Sequence, residues 1–202
     1  MANEHYFSAS PESDARPRQI TVTLAGRTLS LATASGVFSP ERLDVGTRVL
    51  LQTVPAPAPS GALLDIGCGW GPIAITMALQ SPDSQVWGVD VNERVLDLAR
   101  ANAATAGATN VLVGLPADVP DDLRFATIWS NPPIRVGKDE LHAILRTWLP
   151  RLVPGGDAWL VVAKHLGGDS LQRWIADMLG GEFTVARATT DKGYRVIRVH
   201  RG

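Results

Sequence analysis

The sequence predicts an α/β fold: a doubly wound, mostly parallel seven-stranded sheet with an antiparallel terminal hairpin and a small N-terminal extension. Three observations carry this. From Ala62 onward short apolar runs alternate with segments of helical periodicity, the first run breaks into alternate glycines at its carboxyl end, and the last two runs follow one another with no helix between them. Strands are expected at about 62–66, 85–90, 110–114, 125–130 and 157–163, with helices at about 72–80, 92–106, 138–149 and 169–179. Glu182 to Arg187 and Tyr194 to His200 then pair as a hairpin, which puts an antiparallel edge on an otherwise parallel sheet.

Before that core, residues 8–19 carry serine, proline and charge and read as an extended arm. Ile20 to Leu24 and Thr28 to Leu31 alternate in period two around Ala25-Gly26-Arg27, the pattern of a hairpin, and Gly46 to Val54 has a short helical pattern. Pro55-Ala56-Pro57-Ala58-Pro59-Ser60-Gly61 is a stiff connector. The expected organisation is one domain over 1–202, with an extension at 1–54, the connector at 55–61 and the core at 62–202. A formal net charge of -1 makes the chain no general polyanion binder, so any nucleic-acid contact must come from a local patch. With Cys68 as its one cysteine the chain forms no internal disulfide and suggests no structural zinc. Met1 to Tyr6 lacks a basic then apolar segment, and no apolar run approaches membrane-spanning length, so a cytoplasmic protein without a membrane partner is expected.

In such a sheet ligands lie beyond the carboxyl ends of the strands. The first core strand ends in Asp65-Ile66-Gly67-Cys68-Gly69-Trp70-Gly71-Pro72, where the glycines allow backbone close to a ligand and Pro72 suits a first helical turn. The spacing Gly-x-Gly-x-Gly lacks the glycine that the dinucleotide fingerprint needs at Pro72, and no lysine follows to make a phosphate loop. Asp65 is placed to orient the loop or meet an ammonium group. Asp90, with Val91 beside it, ends the second strand where such folds set a carboxylate on ribose hydroxyls, although an aspartate there also suits a helix N-cap. After the third strand, Leu115 is positioned to pack on a planar ring and Asp118 to accept from its amino group, in a stretch that also reads as an ordinary acidic turn. After the fourth strand come Asn131, Pro132, Pro133 and Ile134. The prolines hold the backbone of Asn131 out of the helical region, so its side-chain carbonyl and the Pro132 carbonyl can grip the two hydrogens of a planar amino group.

Taken together these motifs resemble the class I S-adenosylmethionine-dependent methyltransferases. Asp65 to Gly71 is similar to their first motif, with Gly67, Cys68, Gly69 and Gly71 at the cofactor, Asp90 to their ribose acid, and Asn131-Pro132-Pro133-Ile134 to the motif of the amino-methylating branch. Tyr6-Phe7-Ser8, Gly36-Val37-Phe38-Ser39, Asp44-Val45-Gly46-Thr47 and Asn131 to Lys138 are more narrowly similar to the small-domain family of ribosomal RNA guanine-N2 methyltransferases. The resemblance implies a Rossmann-like fold, S-adenosylmethionine as cofactor, no metal, and methyl transfer to a guanine amino group of small-subunit ribosomal RNA. Methylation of a protein glutamine or a small amine, or a non-catalytic RNA- or partner-binding domain, are the other readings of the same motifs. Where relatives carry an aromatic after the two prolines, this chain has Ile134, so Phe38 is the expected substitute for stacking the base. Arg135 and Lys138 are placed to meet phosphates near the site, or equally to form a solvated start to the helix at Asp139.

Overall fold

The computed structural model describes residues 17–34, 41–132, 137–164 and 168–202. Two strands, β1 (Pro17–Leu24) and β2 (Arg27–Ala34), pair antiparallel with Leu24 opposite Arg27, so the turn is Ala25-Gly26 alone. Both turn residues have positive φ, 48° and 75°, the handedness that matches a tight hairpin's twist. Arg27 therefore belongs to the strand, where the sequence placed it in the turn.

After α1 (Val45–Thr53) the chain builds β3 (Ala62–Ile66), α2 (Pro72–Gln80), β4 (Gln85–Val89), α3 (Glu93–Ala106), β5 (Val111–Gly114) and β6 (Phe125–Ser130). It then adds α4 (Lys138–Trp148), β7 (Leu152–Ala163), α5 (Gly168–Leu179), β8 (Phe183–Asp191) and β9 (Tyr194–Arg201). The seven-stranded sheet has the order β5-β4-β3-β6-β7-β9-β8. Pairs from β5 to β7 are parallel, whereas β9 runs antiparallel to both β7 and β8. The strand order reverses between β3 and β6, which puts the loops after those two strands side by side.

Pleating sends alternate residues to opposite faces. Leu63 faces a core shared by β1–β2, α1, α2 and α3, with Leu31, Val49, Ile73, Val95, Trp129 and Trp159. Leu64 faces the other core, built by α4 and α5 with Leu145, Trp148 and Ile175. The described part of the extension, 17–34 and 41–54, is thus packed into the first core rather than hung on a spacer. The proline-rich connector is pinned too: Thr127 Oγ1 accepts from the Ala58 amide at 3.0 Å, and Ser84 Oγ donates to the Ala58 carbonyl at 3.1 Å.

Two strands are longer than the pattern of breakers suggests. β7 runs back through Pro154-Gly155-Gly156 because the pairing with β6 shifts register between Phe125 and Thr127, and the chain absorbs the extra length with Gly155 at φ 78°. A Cβ on Gly156 would lie 2.9 Å from the Val153 carbonyl oxygen, so glycine there is a matter of space. β8 extends to Asp191 through a similar shift between Arg187 and Thr189.

Candidate active site

The glycine loop is closed on itself. Val89 O accepts from Gly67 N at 2.8 Å and from Cys68 N at 3.0 Å, and Gly71 N donates to Cys68 O at 2.9 Å. Gly69 N donates to Asp90 Oδ2 at 3.1 Å. Gly67, Gly69 and Gly71 all take positive φ, 74°, 54° and 95°, which explains why the three positions carry no Cβ. With these amides satisfied internally, the loop offers no row of free donors of the kind that holds a phosphate at a helix start.

Asp65 is fully buried at the end of β3. Its Oδ2 accepts from Ala74 N at 3.0 Å, so it caps the first turn of α2 from a neighbouring strand, while its Oδ1 has no hydrogen-bond partner. Burial pushes its carboxyl well above the usual range, opposed by the Ala74 bond and assisted by the nearby Asp90. An unpartnered buried acceptor beside a glycine loop is a ready counterpart for an ammonium group.

Asp90 is not the helix cap. That position is taken by Asn92, whose side chain accepts from Arg94 N at 3.1 Å. Asp90 instead spans two segments, with Oδ1 on Asn92 N at 3.0 Å and Oδ2 on Gly69 N, and each oxygen keeps a lone pair for another donor. Burial raises its pKa, and the three backbone amides of Asn92, Gly69 and Val91 oppose that rise. Val91 next to it is exposed, and Leu115 is half-buried against Cys68, Leu96 and Ala99, so an apolar surface adjoins the carboxylate. Asp118 turns its Oδ2 back onto Leu115 N at 2.7 Å, which fulfils the acidic-turn reading and leaves the outer oxygen in solvent.

Cys68 lies in the loop but faces inward. A Cβ at Gly88 would sit 3.3 Å from its own Cβ, its amide is spent on Val89, and burial followed by the charges of Asp65 and Asp90 pushes the thiol up. Its side chain fills the space under the loop and presents no thiolate.

Asn131 leaves β6 one residue after Ser130, whose hydroxyl donates to Ile66 O at 2.7 Å and ties the ends of β6 and β3 together. The Asn131 amide is gripped from the extension: Nδ2 donates to Asp44 Oδ2 at 2.8 Å and to Thr47 Oγ1 at 3.1 Å. Both amide hydrogens are therefore engaged, and among the described residues none donates to Oδ1. Asp44 also caps α1, accepting from Thr47 N at 3.0 Å. Sequence reasoning assigned no role to Asp44 or Thr47; an aspartate before a helical run signals a cap, and nothing local reveals a partner 87 residues away.

Pro132 is described and buried, whereas Pro133, Ile134, Arg135 and Phe38 lie outside the described residues. Lys138 is exposed at the start of α4. The C-terminal arginines are engaged by partners within the fold. Arg195 is buried and paired with Asp169, Arg198 donates to both oxygens of Asp157 at 2.7 and 3.2 Å, and Arg201 donates to Leu152 O at 2.7 Å and Glu182 at 3.2 Å. His142 is stacked flat on Trp174, ring centroids 3.5 Å apart, and burial with Lys138 and Arg146 nearby holds its pKa low. Among the described residues no cluster of three or more His, Cys, Asp or Glu is arranged for a metal, and no helix is long and apolar enough to cross a membrane.

Comparison with known proteins places this geometry in a family context. The family model described as methyltransferase small domain matches residues 28–198. YbxB of Bacillus subtilis, itself uncharacterised, is 33% identical over 202 residues, covering 98% of this chain and 99% of that protein. Ribosomal RNA small subunit methyltransferase C of Escherichia coli O1:K1 is 30% identical over 173 residues, 84% of this chain and 49% of that protein. The chain thus spans about half the length of that rRNA-methylating relative. A solved structure of the Thermus thermophilus 16S rRNA N2 G1207 methyltransferase, in complex with AdoMet and guanosine, overlays with a TM-score of 0.77 at 20% identity, covering 96% of this chain and 53% of that one.

Proposed function

The chain belongs to the methyltransferase small domain family and is an S-adenosylmethionine-dependent methyltransferase, and from that premise we propose that it methylates the N2 amino group of a guanine in small-subunit ribosomal RNA. The observation that carries the reading is the placement of Asn131: it follows β6, directly beside the glycine loop after β3, with both amide hydrogens bound elsewhere and its carbonyl oxygen left for an incoming amino group.

The residues fit the cofactor. Asp65 Oδ1, buried and unpartnered, would take the ammonium of the methionine moiety; Asp90 would take ribose hydroxyls on its spare lone pairs; Val91 and Leu115 would flank the adenine. The closed amides of Gly67, Gly69 and Gly71 suit a ligand without phosphates. When bound, the cofactor supplies an electrophilic methyl on a sulfonium.

On the acceptor side, Asn131 Oδ1 and the Pro132 carbonyl accept the two amino hydrogens, which leaves the nitrogen lone pair pointing out of the plane toward the methyl. No strong base is required, since the proton becomes acidic once nitrogen gains its methyl and passes to water. The residues act by alignment, which contributes several kcal/mol when reacting atoms are held near contact. A guanine within a duplex must first be flipped out, costing a few kcal/mol. Arg135 and Lys138 would meet flanking phosphates, and Phe38 would stack the base.

The same geometry would grip a glutamine amide, so the experiment is a transfer assay with labelled methyl on isolated small subunits, naked ribosomal RNA and a protein extract. N2-methylguanosine recovered from nuclease digests of the RNA supports the proposal. Label confined to protein overturns it.

A further inference from the structure

We propose that Asp44 and Thr47 are positioning residues that fix which end of the Asn131 amide faces the acceptor nitrogen; this rests on the role given to Asn131 above. A primary amide has two ends of nearly equal size and opposite hydrogen-bonding sense. Only the carbonyl end serves here. An NH2 turned toward the acceptor would set donor against donor at the amino hydrogen that the carbonyl should accept, so a half-turn about the Cβ–Cγ axis converts a gripping contact into a repulsive one.

The proline-constrained backbone sets where the Asn131 side chain starts, but it does not choose between the two ends of the amide. Helix α1 does. Asp44 Oδ2 and Thr47 Oγ1 take one amide hydrogen each, at 2.8 and 3.1 Å, and the Asp44 oxygen, which also accepts from Thr47 N, selects the NH2 end. A flipped amide would set Oδ1 against the carboxylate. Asp44 is itself held, because the same Oδ2 accepts from Thr47 N at 3.0 Å and so caps α1. Room for this comes from Gly46: a Cβ there would stand 2.9 Å from Asp44 Oδ2 and 2.8 Å from Cε1 of Tyr194. Helix α1 is anchored in the core through Val49 and Leu50, so the N-terminal extension completes a site whose other parts lie on the sheet.

The test uses Thr47→Val, which removes the hydroxyl and keeps the shape and the backbone amide that caps α1, with Thr47→Ser as the conservative control. Turnover of Thr47→Val, on whichever acceptor the wild type labels, is expected to fall about ten- to hundredfold, the range for losing one alignment contact, with cofactor Kd and acceptor KM within about twofold. Thr47→Ser restores turnover to within about threefold of wild type, and in an Asn131→Ala background Thr47→Val has no further effect. A readout independent of any acceptor is the side-chain amide of Asn131 in the 15N-labelled chain, assigned by its loss in Asn131→Ala. Its protons are expected to exchange with solvent at least about tenfold more slowly than those of exposed asparagines, and Thr47→Val removes the protection of the proton that Thr47 holds while the one on Asp44 keeps part of its own. Wild-type turnover in Thr47→Val, or unprotected Asn131 protons in the wild type, overturns the positioning role while leaving Asn131 itself in place. Full turnover in Asn131→Ala overturns the site assignment instead.

Discussion

Replacing Asn102 with alanine is a sharp perturbation of how the extension is tied to the glycine loop. Asn102 lies buried on α3, and its amide makes three bonds: Oδ1 accepts from Ala32 N at 2.7 Å, and Nδ2 donates to Ala32 O at 2.8 Å and to Trp70 O at 2.9 Å. One side chain thus joins β2 to the loop between Gly69 and Gly71. Alanine leaves three backbone groups without that partner. The two on Ala32 are partly reached by water and are expected to cost about 1 kcal/mol each; the buried Trp70 carbonyl costs about 1–2 kcal/mol, giving roughly 3–4 kcal/mol in all. For a chain of 202 residues that corresponds to a fall in Tm of roughly 6–16 °C. Thermal unfolding followed by circular dichroism measures it, and titration calorimetry at a temperature where the variant is folded should show cofactor binding weakened severalfold, since the loop has lost an anchor. A fall of less than about 2 °C would refute the reasoning, because it would mean that the hairpin and the loop are held independently of this amide.

Two further outcomes follow from the buried acids and the thiol. Because burial raises the Asp65 carboxyl above its unfolded value, the folded chain holds that proton more tightly, and the penalty is absent at pH below the unfolded value and grows as pH rises through the folded one. Asp65→Asn should therefore stabilise the cofactor-free chain at pH 7 and not at pH 3, while weakening cofactor binding at pH 7; melting curves and calorimetry at the two pH values check both signs. Cys68, buried and with its pKa raised, should resist a thiol reagent at pH 8 in the native chain and react stoichiometrically in denaturant; prompt native labelling would contradict its inward placement.

The elements that position the site were largely legible, and the partners of its residues were not. The alternate glycines follow from local geometry, since Gly67, Gly69 and Gly71 occupy conformations that a Cβ disfavours, and strand ends could be read from apolar runs. Asp90 could be placed at a strand end, but its choice of Gly69 and Asn92 amides depends on how two loops meet, and the cap that its position suggested is supplied by Asn92. The Pro154-Gly155-Gly156 run looks like a turn in sequence and is a bulged strand in the fold, because pairing with β6 overrides the local preference. Nothing local to Arg195 and Arg198 reveals their partners, Asp169 and Asp157, which engage them across the fold. The grip of Asp44 and Thr47 on Asn131 is the extreme case: a helix cap is visible locally, and its second task appears only when β6 brings residue 131 to it.

The most direct measurement is made on Asn131→Ala: cofactor affinity by calorimetry beside methyl transfer to small subunits under single-turnover conditions. Alignment by the Asn131 carbonyl predicts an unchanged Kd, within about twofold, and a transfer rate lowered at least about a hundredfold. A variant that transfers methyl at the wild-type rate, or that loses cofactor binding and transfer in equal measure, would contradict it.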